Sequence, residues 1–270
     1  MNSRISAYIP CHNNAQTIKR CIQSIRKQSI QVSELFVISD GSSDESVEVV
    51  TSLGVDLIEL KKNYGRGYVR AKAMEHAKYE YVLCCDATLT LEQDFIKKAL
   101  IHFSSENVGA VFGKVRLKVK HTAIDRWRSI YLFKEKEPPH LLHNISLLTG
   151  GAILKKEVTL KVGNYNQTLR RSEDHDLGLR LNNSGVDTIS DSGITIWSFE
   201  SNSILKTMER YWRWNHSETF TLKEYIHALI FSIRHMIKED IKDRDFPRLF
   251  ISLFYPHCML FCHLYYSIVR

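Results

Sequence analysis

The sequence has 270 residues, of which 44% are hydrophobic and 25% are charged, and its formal net charge is +7. This composition is that of a globular protein and excludes a disordered chain. The positive charge favours an anionic partner, and by itself it leaves nucleotide, nucleic acid and acidic lipid open. The opening residues MNSRISAYIP contain no apolar run behind a basic flank, so we expect no secretory signal and a cytoplasmic location. The six cysteines show no CxxC spacing, and we expect reduced thiols.

The first half of the chain alternates short β-branched strings with helical ones. ISAYIP predicts a strand, and NAQTIKRCIQSIRKQ predicts a helix whose apolar residues follow the i, i+3, i+4, i+7 spacing: Ile18, Cys21, Ile22 and Ile25. ELFVISD, DLIEL and YEYVLCCDA are further strands, with GYVRAKAMEHAK helical before the last of them. Strands joined by such helices imply right-handed crossovers and a mostly parallel sheet flanked by helices. The sequence therefore predicts an α/β fold.

Two aspartates follow strands of this predicted sheet. Asp40 ends the second strand and Asp86 ends the fourth, and ligands of such sheets bind outside the carboxyl ends of the strands. A dinucleotide-binding domain would place GxGxxG after the first strand, where this chain has PCHNN. The missing glycines disfavour a nicotinamide enzyme. The GRG at 65–67 indicates only a tight turn.

A row of cations marks the segment KVRLKVKH, residues 114–121. In a strand its basic side chains alternate with Val115, Leu117 and Val119 and share one face. That face could meet a phosphate-bearing acceptor. Lysines also guard edge strands against aggregation, and we expect an edge strand here.

Beyond about residue 203 the chain becomes helical and aromatic, and residues 249–269 contain no Asp, Glu, Lys or Arg. This stretch is long enough to span a bilayer, but Pro256, two histidines and several tyrosines argue against a transmembrane helix. We expect an interfacial anchor that turns its cations toward acidic lipids. Two alternatives stay open: the aromatic residues pack on the core of the chain, or they pack on a second copy in a homodimer.

The segment RRSEDHDLGLRL, residues 170–181, places three carboxylates in four positions: Glu173, Asp174 and Asp176. Like charges this close repel, so the cluster belongs on a solvated face or at a site that uses the charge. Asp176 and Arg180 have i, i+4 spacing, and we expect a surface ion pair. Glu173 also suits a helix start. We expect Arg170 and Arg171 to keep the cluster ionised.

Several of these segments together resemble family 2 glycosyltransferases of the GT-A fold. ISAYIPCHN is similar to the opening strand of that family and its asparagine, and ISDGSSDES is similar to its DDGSxD segment with Ser39 in place of the first aspartate. GRGYVRAKAMEHAKYEYVLCCDAT is similar to the segment leading into the DxD motif, LLTGGAILKKEV follows it, and SEDHDLGLRL is similar to the ED motif. The resemblance covers about residues 4–200. We therefore expect a nucleotide-sugar-binding half at 1–115, an acceptor-binding half at 116–202 and a C-terminal helical extension at 203–270.

The resemblance implies inverting transfer of a sugar from a nucleotide-diphosphate donor, with UDP-sugars favoured, to a hydroxyl of a glycan or lipid-linked acceptor. Asp174 is then the catalytic base that takes the hydroxyl proton. The donor-binding residues implied are Pro10, Asn13, Asp40, Gly65, Arg70 and Asp86. RYWRW, residues 210–214, is similar to a signature of processive polysaccharide synthases, and an amphipathic interfacial helix is the alternative. The acceptor or diphosphate contacts implied are Glu173, Arg210, Arg213 and Trp214.

Two departures from the family pattern concern the metal. The DxD motif reads Asp86, Ala87, Thr88, so the second carboxylate that usually ligates Mg²⁺ or Mn²⁺ is missing. ITIWSF has no histidine where many relatives place one. We expect a weakened metal site that rests on Asp86 and the donor diphosphate. The alternative is a non-catalytic nucleotide-sugar or glycan-binding subunit with a degenerate metal site.

The expected partners follow from the same residues. A nucleic acid is not expected, because the basic residues are scattered and no recognition motif occurs. The anchor expected at the C-terminal end places the protein peripherally at the inner face of the cell membrane.

Overall fold

The computed structural model describes residues 4–215 and 221–269, with side chains for residues 4–212 and 221–265. In these ranges nine strands form one sheet. The strands are β1 Ile5–Cys11, β2 Glu34–Ser39, β3 Asp56–Glu59, β4 Tyr81–Cys85, β5 Leu89–Leu91, β6 Val108–Leu117, β7 Leu141–Leu142, β8 Gly151–Lys155 and β9 Asp187–Ser198.

Helices connect and flank the strands. They are α1 Ala15–Arg26, α2 Ser46–Ser52, α3 Arg66–His76, α4 Phe95–His102, α5 Ala123–Trp127, α6 Lys156–Lys161, α7 Glu173–Asn183, α8 Ile204–Asn215, α9 Leu222–Phe231, α10 Lys238–Lys242 and α11 Phe246–Val269. Two π-helical turns continue α5 and α9, at Arg128–Leu132 and Ser232–Ile237.

The sheet is mixed. Its order is β3-β2-β1-β4-β8-β6-β9-β5, and β7 pairs with β9. The first four strands of this order are parallel, whereas β8 pairs antiparallel with β4 and β6, and β9 pairs antiparallel with β5 and β7. The predicted α/β class is confirmed, but the sheet is mixed and not mostly parallel as predicted. The parallel part is confined to the strands that α1, α2 and α3 connect, because parallel neighbours need a crossover.

The basic segment KVRLKVKH does not form the predicted edge strand. β6 ends at Leu117, within the segment, and it lies between β8 and β9 in the sheet. The prediction was wrong because it rested on the lysines alone, and lysines in a strand do not show which strands lie beside it.

Apolar side chains cover both faces of the sheet. Ile5, Ala7 and Ile9 of β1 face one cluster and Tyr8 faces the other, as the alternation of a strand requires. The apolar stripe predicted for α1 is fully buried in the first cluster. α3 and α7 cover the second cluster. All six cysteines are free thiols, as expected.

The chain divides into two compact units. One comprises Met1–Val115 and Pro138–Ser198, and the other comprises Arg116–Glu137 and Phe199–Arg270. The first unit contains the parallel strands and α7; the second contains α5 and the C-terminal helices. The binding roles assigned to residues 1–115 and 116–202 stay a prediction.

α11 is one helix of 24 residues, and Pro256 lies inside it without ending it. A proline cannot donate to the carbonyl four residues before it, here that of Ser252. The hydroxyl of Ser232 donates to this carbonyl at 2.5 Å instead. A substitute donor thus satisfies the acceptor that the proline leaves open. Within the described ranges, no helix is both long and apolar enough to cross a membrane.

Candidate active site

The carboxyl ends of the parallel strands bring the predicted donor residues to one edge of the sheet. Pro10 pairs with Ile38 near the ends of β1 and β2, and Asp40 follows β2 directly. β4 lies on the other side of β1, so Asp86 follows it at the same edge. The edge predicted from the sequence therefore exists.

The loop after β1 is tied to the loop after β2. Asn13 adopts a left-handed conformation with φ 54°, and its side-chain oxygen accepts the backbone N–H of Ser43 at 2.8 Å. Its own N–H donates to the hydroxyl of Ser42 at 3.2 Å. Asn13 thus shapes this edge of the sheet, and a donor contact by Asn13 stays a prediction.

Asp40 holds the start of α3. Only 6% exposed, it accepts the N–H of Tyr64 at 2.7 Å on one oxygen and the N–H of Gly65 at 2.9 Å on the other. Gly65 has φ 98°, which favours glycine. Each carboxylate oxygen keeps a further acceptor position, so a hydrogen bond to the donor base stays a prediction.

Arg70 joins two of the predicted site carboxylates. Its Nη2 lies 2.8 Å from Oδ1 of Asp86, and its Nε lies 3.0 Å from Oε1 of Glu173. Arg70 and Glu173 are each 1% exposed, whereas the Asp86 side chain is 31% exposed. The donor-side aspartate and the start of α7 are therefore linked through one buried guanidinium.

Arg70 has two further partners, Cys84 and Thr149, and both are residues of this chain. Its Nη1 donates to the carbonyl of Thr149 at 3.3 Å and contacts the sulfur of Cys84. Burial would lower the pKa of Arg70, but its neighbours Cys84, Asp86, Tyr8 and Glu173 together outweigh burial and raise that pKa. Burial also raises the pKa of Cys84 to about 12, so this thiol is neutral at physiological pH. Arg70 is the fixed positive charge of the site.

The three carboxylates at the start of α7 have different surroundings. Glu173 points inward to Arg70, and Asp176 pairs with Arg180 at 2.6 Å, as predicted. Asp174 is half-buried and accepts the N–H of His175 at 3.0 Å. Its other oxygen lies 3.5 Å from the N–H of Thr149. Within the described part of the chain, no cation lies at ion-pair distance from Asp174.

The predicted partners of this cluster need correction. Arg170 donates to the carbonyl of Asn63 at 3.3 Å and to its side-chain oxygen. The cations that pair with the cluster are Arg70 and Arg180. Arg70 comes from α3, about a hundred residues earlier, so the spacing within RRSEDHDLGLRL could not reveal it.

Two residues of the site were missed from the sequence. Thr149 approaches Asp174 with its N–H and Arg70 with its carbonyl. The carbonyl of Gly150 accepts the N–H of Asp86 at 3.0 Å, and a Cβ on Gly150 would lie 3.4 Å from Oδ2 of Asp86. Both belong to LLTGGAILKKEV, a segment already noted for its resemblance. Because they act through backbone groups, their side chains gave no signal.

The residues predicted to contact the acceptor or diphosphate lie in α8, apart from Glu173. Nη1 of Arg210 lies 3.2 Å from Oε2 of Glu200. Arg213 and Trp214 are part of the helix, and their side chains lie outside the described residues. All three belong to the second compact unit, Arg116–Glu137 and Phe199–Arg270, which we call the helical unit, and their roles stay predictions.

Asp86 and its neighbours supply too few oxygen ligands to form a metal site from protein side chains alone. Oδ1 of Asp86 is paired with Arg70, which leaves Oδ2 as the open carboxylate oxygen. Thr88 offers no carboxylate, and among the described residues no three His, Cys, Asp or Glu side chains form a cluster able to hold a metal ion. Mg²⁺ and Mn²⁺ prefer several oxygen ligands.

The sequence from residue 6 to residue 163 matches the family model described as "Glycosyl transferase family 2". The chain belongs to this family. The predicted family and enzyme class are thereby confirmed. The match ends before α7, so the roles of Glu173 and Asp174 depend on the geometry described above.

Curated relatives are synthases of a polysaccharide. The poly-beta-1,6-N-acetyl-D-glucosamine synthase of Staphylococcus epidermidis is 25% identical over 186 residues, which cover 66% of this chain and 45% of that protein. The synthase of the same name from Staphylococcus aureus is 25% identical over 131 residues, covering 47% and 32%. The chain thus spans less than half the length of these relatives.

Solved glycosyltransferases share the fold. A mannosyltransferase from Pyrobaculum calidifontis, solved in complex with GDP-Man and Mn²⁺, has a TM-score of 0.61 at 16% identity, with 98% of this chain and 73% of that chain covered. TarS residues 1–349 from S. aureus, in complex with UDP, has a TM-score of 0.57 at 16% identity, covering 88% and 77%. The likeness confirms the GT-A type of architecture.

Proposed function

We propose that this chain is an inverting glycosyltransferase with Asp174 as its general base. Asp174 takes the proton of an acceptor hydroxyl, whose oxygen attacks the anomeric carbon of a nucleotide-diphosphate sugar. The bond from that carbon to the diphosphate breaks, and the nucleoside diphosphate leaves with the bonding electrons. A single displacement of this kind inverts the anomeric configuration.

The observation that carries this proposal is the difference between Asp174 and its two acidic neighbours. Glu173 and Asp176 are paired with arginines, whereas Asp174 is half-buried and, among the residues that the structure describes, accepts backbone N–H groups alone. A general base must be ionised, accessible and free to accept a proton. Asp174 is accessible and its carboxylate is not held by an arginine, whereas Glu173 is too deeply buried to be accessible.

Family membership supports a nucleotide-sugar donor, and the solved neighbours were crystallised with UDP in one case and GDP-Man in another. Asp40 and Asp86, at the carboxyl edge of the parallel strands, suit the donor base and the ribose or diphosphate. Pro10, Asn13 and Gly65 belong to the same edge. We assign this edge to the donor, with UDP-sugars favoured, and a glycan or lipid-linked hydroxyl as the acceptor.

No step of this mechanism passes through a metal ion. Arg70 supplies a fixed positive charge beside Asp86, and Thr88 removes the usual second carboxylate. We propose that metal dependence is weak, with any bound cation held by Asp86 and the diphosphate.

A panel assay tests the proposed function. The purified chain should hydrolyse or transfer from at least one UDP-, GDP- or dTDP-sugar, and Asp174→Asn should abolish this turnover. Nuclear magnetic resonance of the product reports the anomeric configuration. Retention of configuration would overturn the single displacement, and a fully active Asp174→Asn enzyme would remove the base.

A second candidate, a non-catalytic nucleotide-sugar or glycan-binding subunit, is favoured by the incomplete metal motif at Asp86 and Thr88. Calorimetric titration with UDP and GDP, with and without Mn²⁺, separates the two candidates. Nucleotide binding without turnover, across a broad panel of donors and acceptors, would support the subunit.

We also propose that the helical unit contacts the membrane surface peripherally, at the inner face of the cell membrane. The unit carries seventeen Lys and Arg against eleven Asp and Glu, a net charge of +6 out of the +7 of the chain. Phe246, Phe250 and Phe254 of α11 are each about 60% exposed. Exposed aromatics beside a cationic surface suit the headgroup region of an anionic bilayer. A homodimer through the same residues is the alternative.

A further inference from the structure

Arg70 was predicted to contact the donor, but its surroundings indicate a different task. It is 1% exposed, and Nε, Nη1 and Nη2 all have partners inside the protein: Glu173, Thr149 and Asp86. A guanidinium so enclosed does not reach a ligand except through the residues it holds.

The polar cluster around Arg70 stabilises the fold less than apolar side chains in its place would. Two buried polar atoms nearby, the hydroxyl of Thr149 and Oε2 of Glu173, have no hydrogen-bond partner in the described structure. The phenols of Tyr8 and Tyr165 lie close enough to Arg70 for its charge to act on their pKa, which burial raises. Unsatisfied buried groups destabilise a fold, and buried charges stabilise it less than packed apolar side chains would. Such clusters are typical of sites where orientation matters more than stability.

The partners of Arg70 lie on both sides of the proposed reaction. Asp86 belongs to the donor side, after β4. Glu173 is the first residue of α7, one position before the proposed base. Thr149 gives its carbonyl to Arg70 and its N–H to Asp174. Arg70 is therefore linked to Asp174 in two ways, through Glu173 at the start of α7 and through the backbone of Thr149.

We infer that Arg70 is a positioning residue that sets the donor-side carboxylate Asp86 and the proposed base Asp174 in one geometry. The inference rests on the proposed function. Lysine would keep the charge, but its single ammonium cannot reproduce the fork with which arginine contacts two carboxylates. A misplaced base slows the chemical step more than it weakens donor binding.

A double-mutant cycle tests this role through the kinetics. Arg70→Lys and Glu173→Gln should each lower kcat about tenfold or more while the donor KM changes less than about threefold, and the double variant should lose little beyond either single one. Arg180→Gln, which breaks the surface pair with Asp176 on the same helix, is the matched control and should retain activity. A rise in donor KM with unchanged kcat, or additive losses, would overturn the inference in favour of a direct donor contact.

Hydrogen exchange provides a readout that does not need turnover. Arg70→Lys and Glu173→Gln, each first shown to be folded by its thermal transition, should both speed exchange in residues 85–89 and 172–178 together. Arg180→Gln should leave 85–89 unchanged. Exchange that changes only within α3 would contradict the proposed coupling of Asp86 to the start of α7 through Arg70, whether or not the chain is an enzyme. If exchange changes in both segments but no turnover is found, the proposed enzyme is refuted and the coupling is not.

Discussion

Glu173 and Asp174 are adjacent in the chain, yet their carboxylates lie in opposite environments. Glu173 is buried against Arg70, and Asp174 is half-exposed with two backbone N–H groups as its partners. Successive residues of a helix point about 100° apart, so the first turn of α7 separates charges that the sequence crowds together. The first turn also favours negative charge, because the free N–H groups of the helix end there.

The first prediction concerns the base. Asp174→Asn preserves size and keeps one oxygen that can accept a backbone N–H, but its NH₂ group can accept neither the second N–H nor the proton of the acceptor hydroxyl, so kcat should fall about 10²- to 10⁴-fold. Initial rates with a saturating donor measure this change. Asp176→Asn is the matched control, since it alters a carboxylate of the same helical turn that pairs with Arg180, and it should cost less than about threefold. Equal losses in both variants would indicate a general effect of charge on α7.

The metal prediction uses a gain of function. Thr88→Asp restores the second carboxylate of the motif. The gain in affinity for UDP or GDP on adding Mn²⁺ should then be at least about threefold larger for this variant than for the unmodified chain. Thr90→Asp, two residues further on in β5, places the same charge outside the motif and should show no such gain. Isothermal titration with and without Mn²⁺ measures both. Loss of all nucleotide binding by the unmodified chain on chelation would contradict weak metal dependence.

Much of the first unit could be predicted because its elements obey local rules. The apolar stripe of α1 and the strands before Asp40 and Asp86 follow directly from periodicity and order. The second half of the sheet could not be placed from periodicity, since antiparallel neighbours such as β6 and β8 are set by long-range pairing. Arg70 was identified as a site residue, but its partners come from distant segments, and no local spacing encodes them.

The C-terminal helix α11 is a second region whose packing could not be predicted from the sequence. Its aromatics were predicted either to face a membrane or to pack inward; some of them pack inward and others are exposed, and contact of the exposed ones with a membrane stays a prediction. Tyr255 is 5% exposed and packs with Trp127 and Tyr211, whereas Phe254, its neighbour, is 61% exposed. Only the three-dimensional packing decides which stripe of an aromatic helix is internal.

Acid stability should depend on an ion pair of the helical unit. Arg126 donates to both oxygens of Asp245 at 2.6 and 2.9 Å, which lowers the pKa of Asp245. A carboxyl with a lowered pKa in the folded state adds stability that is full above its unfolded pKa, about 3.9, and is lost as the pH falls through the lower folded value. Asp245→Asn should therefore reduce the free energy of unfolding at pH 7 by about 0.5–1 kcal/mol, since Arg126 is partly solvated.

Urea unfolding at pH 7 and pH 3, followed by circular dichroism, measures this difference. The difference between Asp245→Asn and the unmodified chain should shrink toward pH 3 and below. Asp94→Asn, a substitution at an exposed aspartate that makes no side-chain cap to α4, should change stability little at either pH. A difference for Asp245→Asn that stays constant with pH would show that the carboxylate charge does not contribute.

The last prediction concerns binding of the helical unit to a membrane surface. Ile251, Tyr255 and Met259 of α11 belong to the core of the helical unit, so deleting the residues after Asp245 would disrupt folding. Substitution of the outer stripe of α11, the exposed residues Phe250 and Phe254, avoids this loss of folding. Phe250→Ser and Phe254→Ser alter side chains that are 60% and 61% exposed and should leave the thermal transition almost unchanged.

Flotation with phosphatidylglycerol-containing vesicles is the measurement. Each substitution should weaken binding about tenfold or more, because a buried phenylalanine contributes about 1.5–3 kcal/mol. Binding of the unmodified chain should also fall as salt screens the +6 charge of the helical unit. Ile101→Ser, a substitution at an α4 residue that is 67% exposed in the other unit, controls for a general loss of surface hydrophobicity and should bind normally. If no vesicles bind and the phenylalanine variants convert a dimer into a monomer in sedimentation, the outer stripe is a subunit interface.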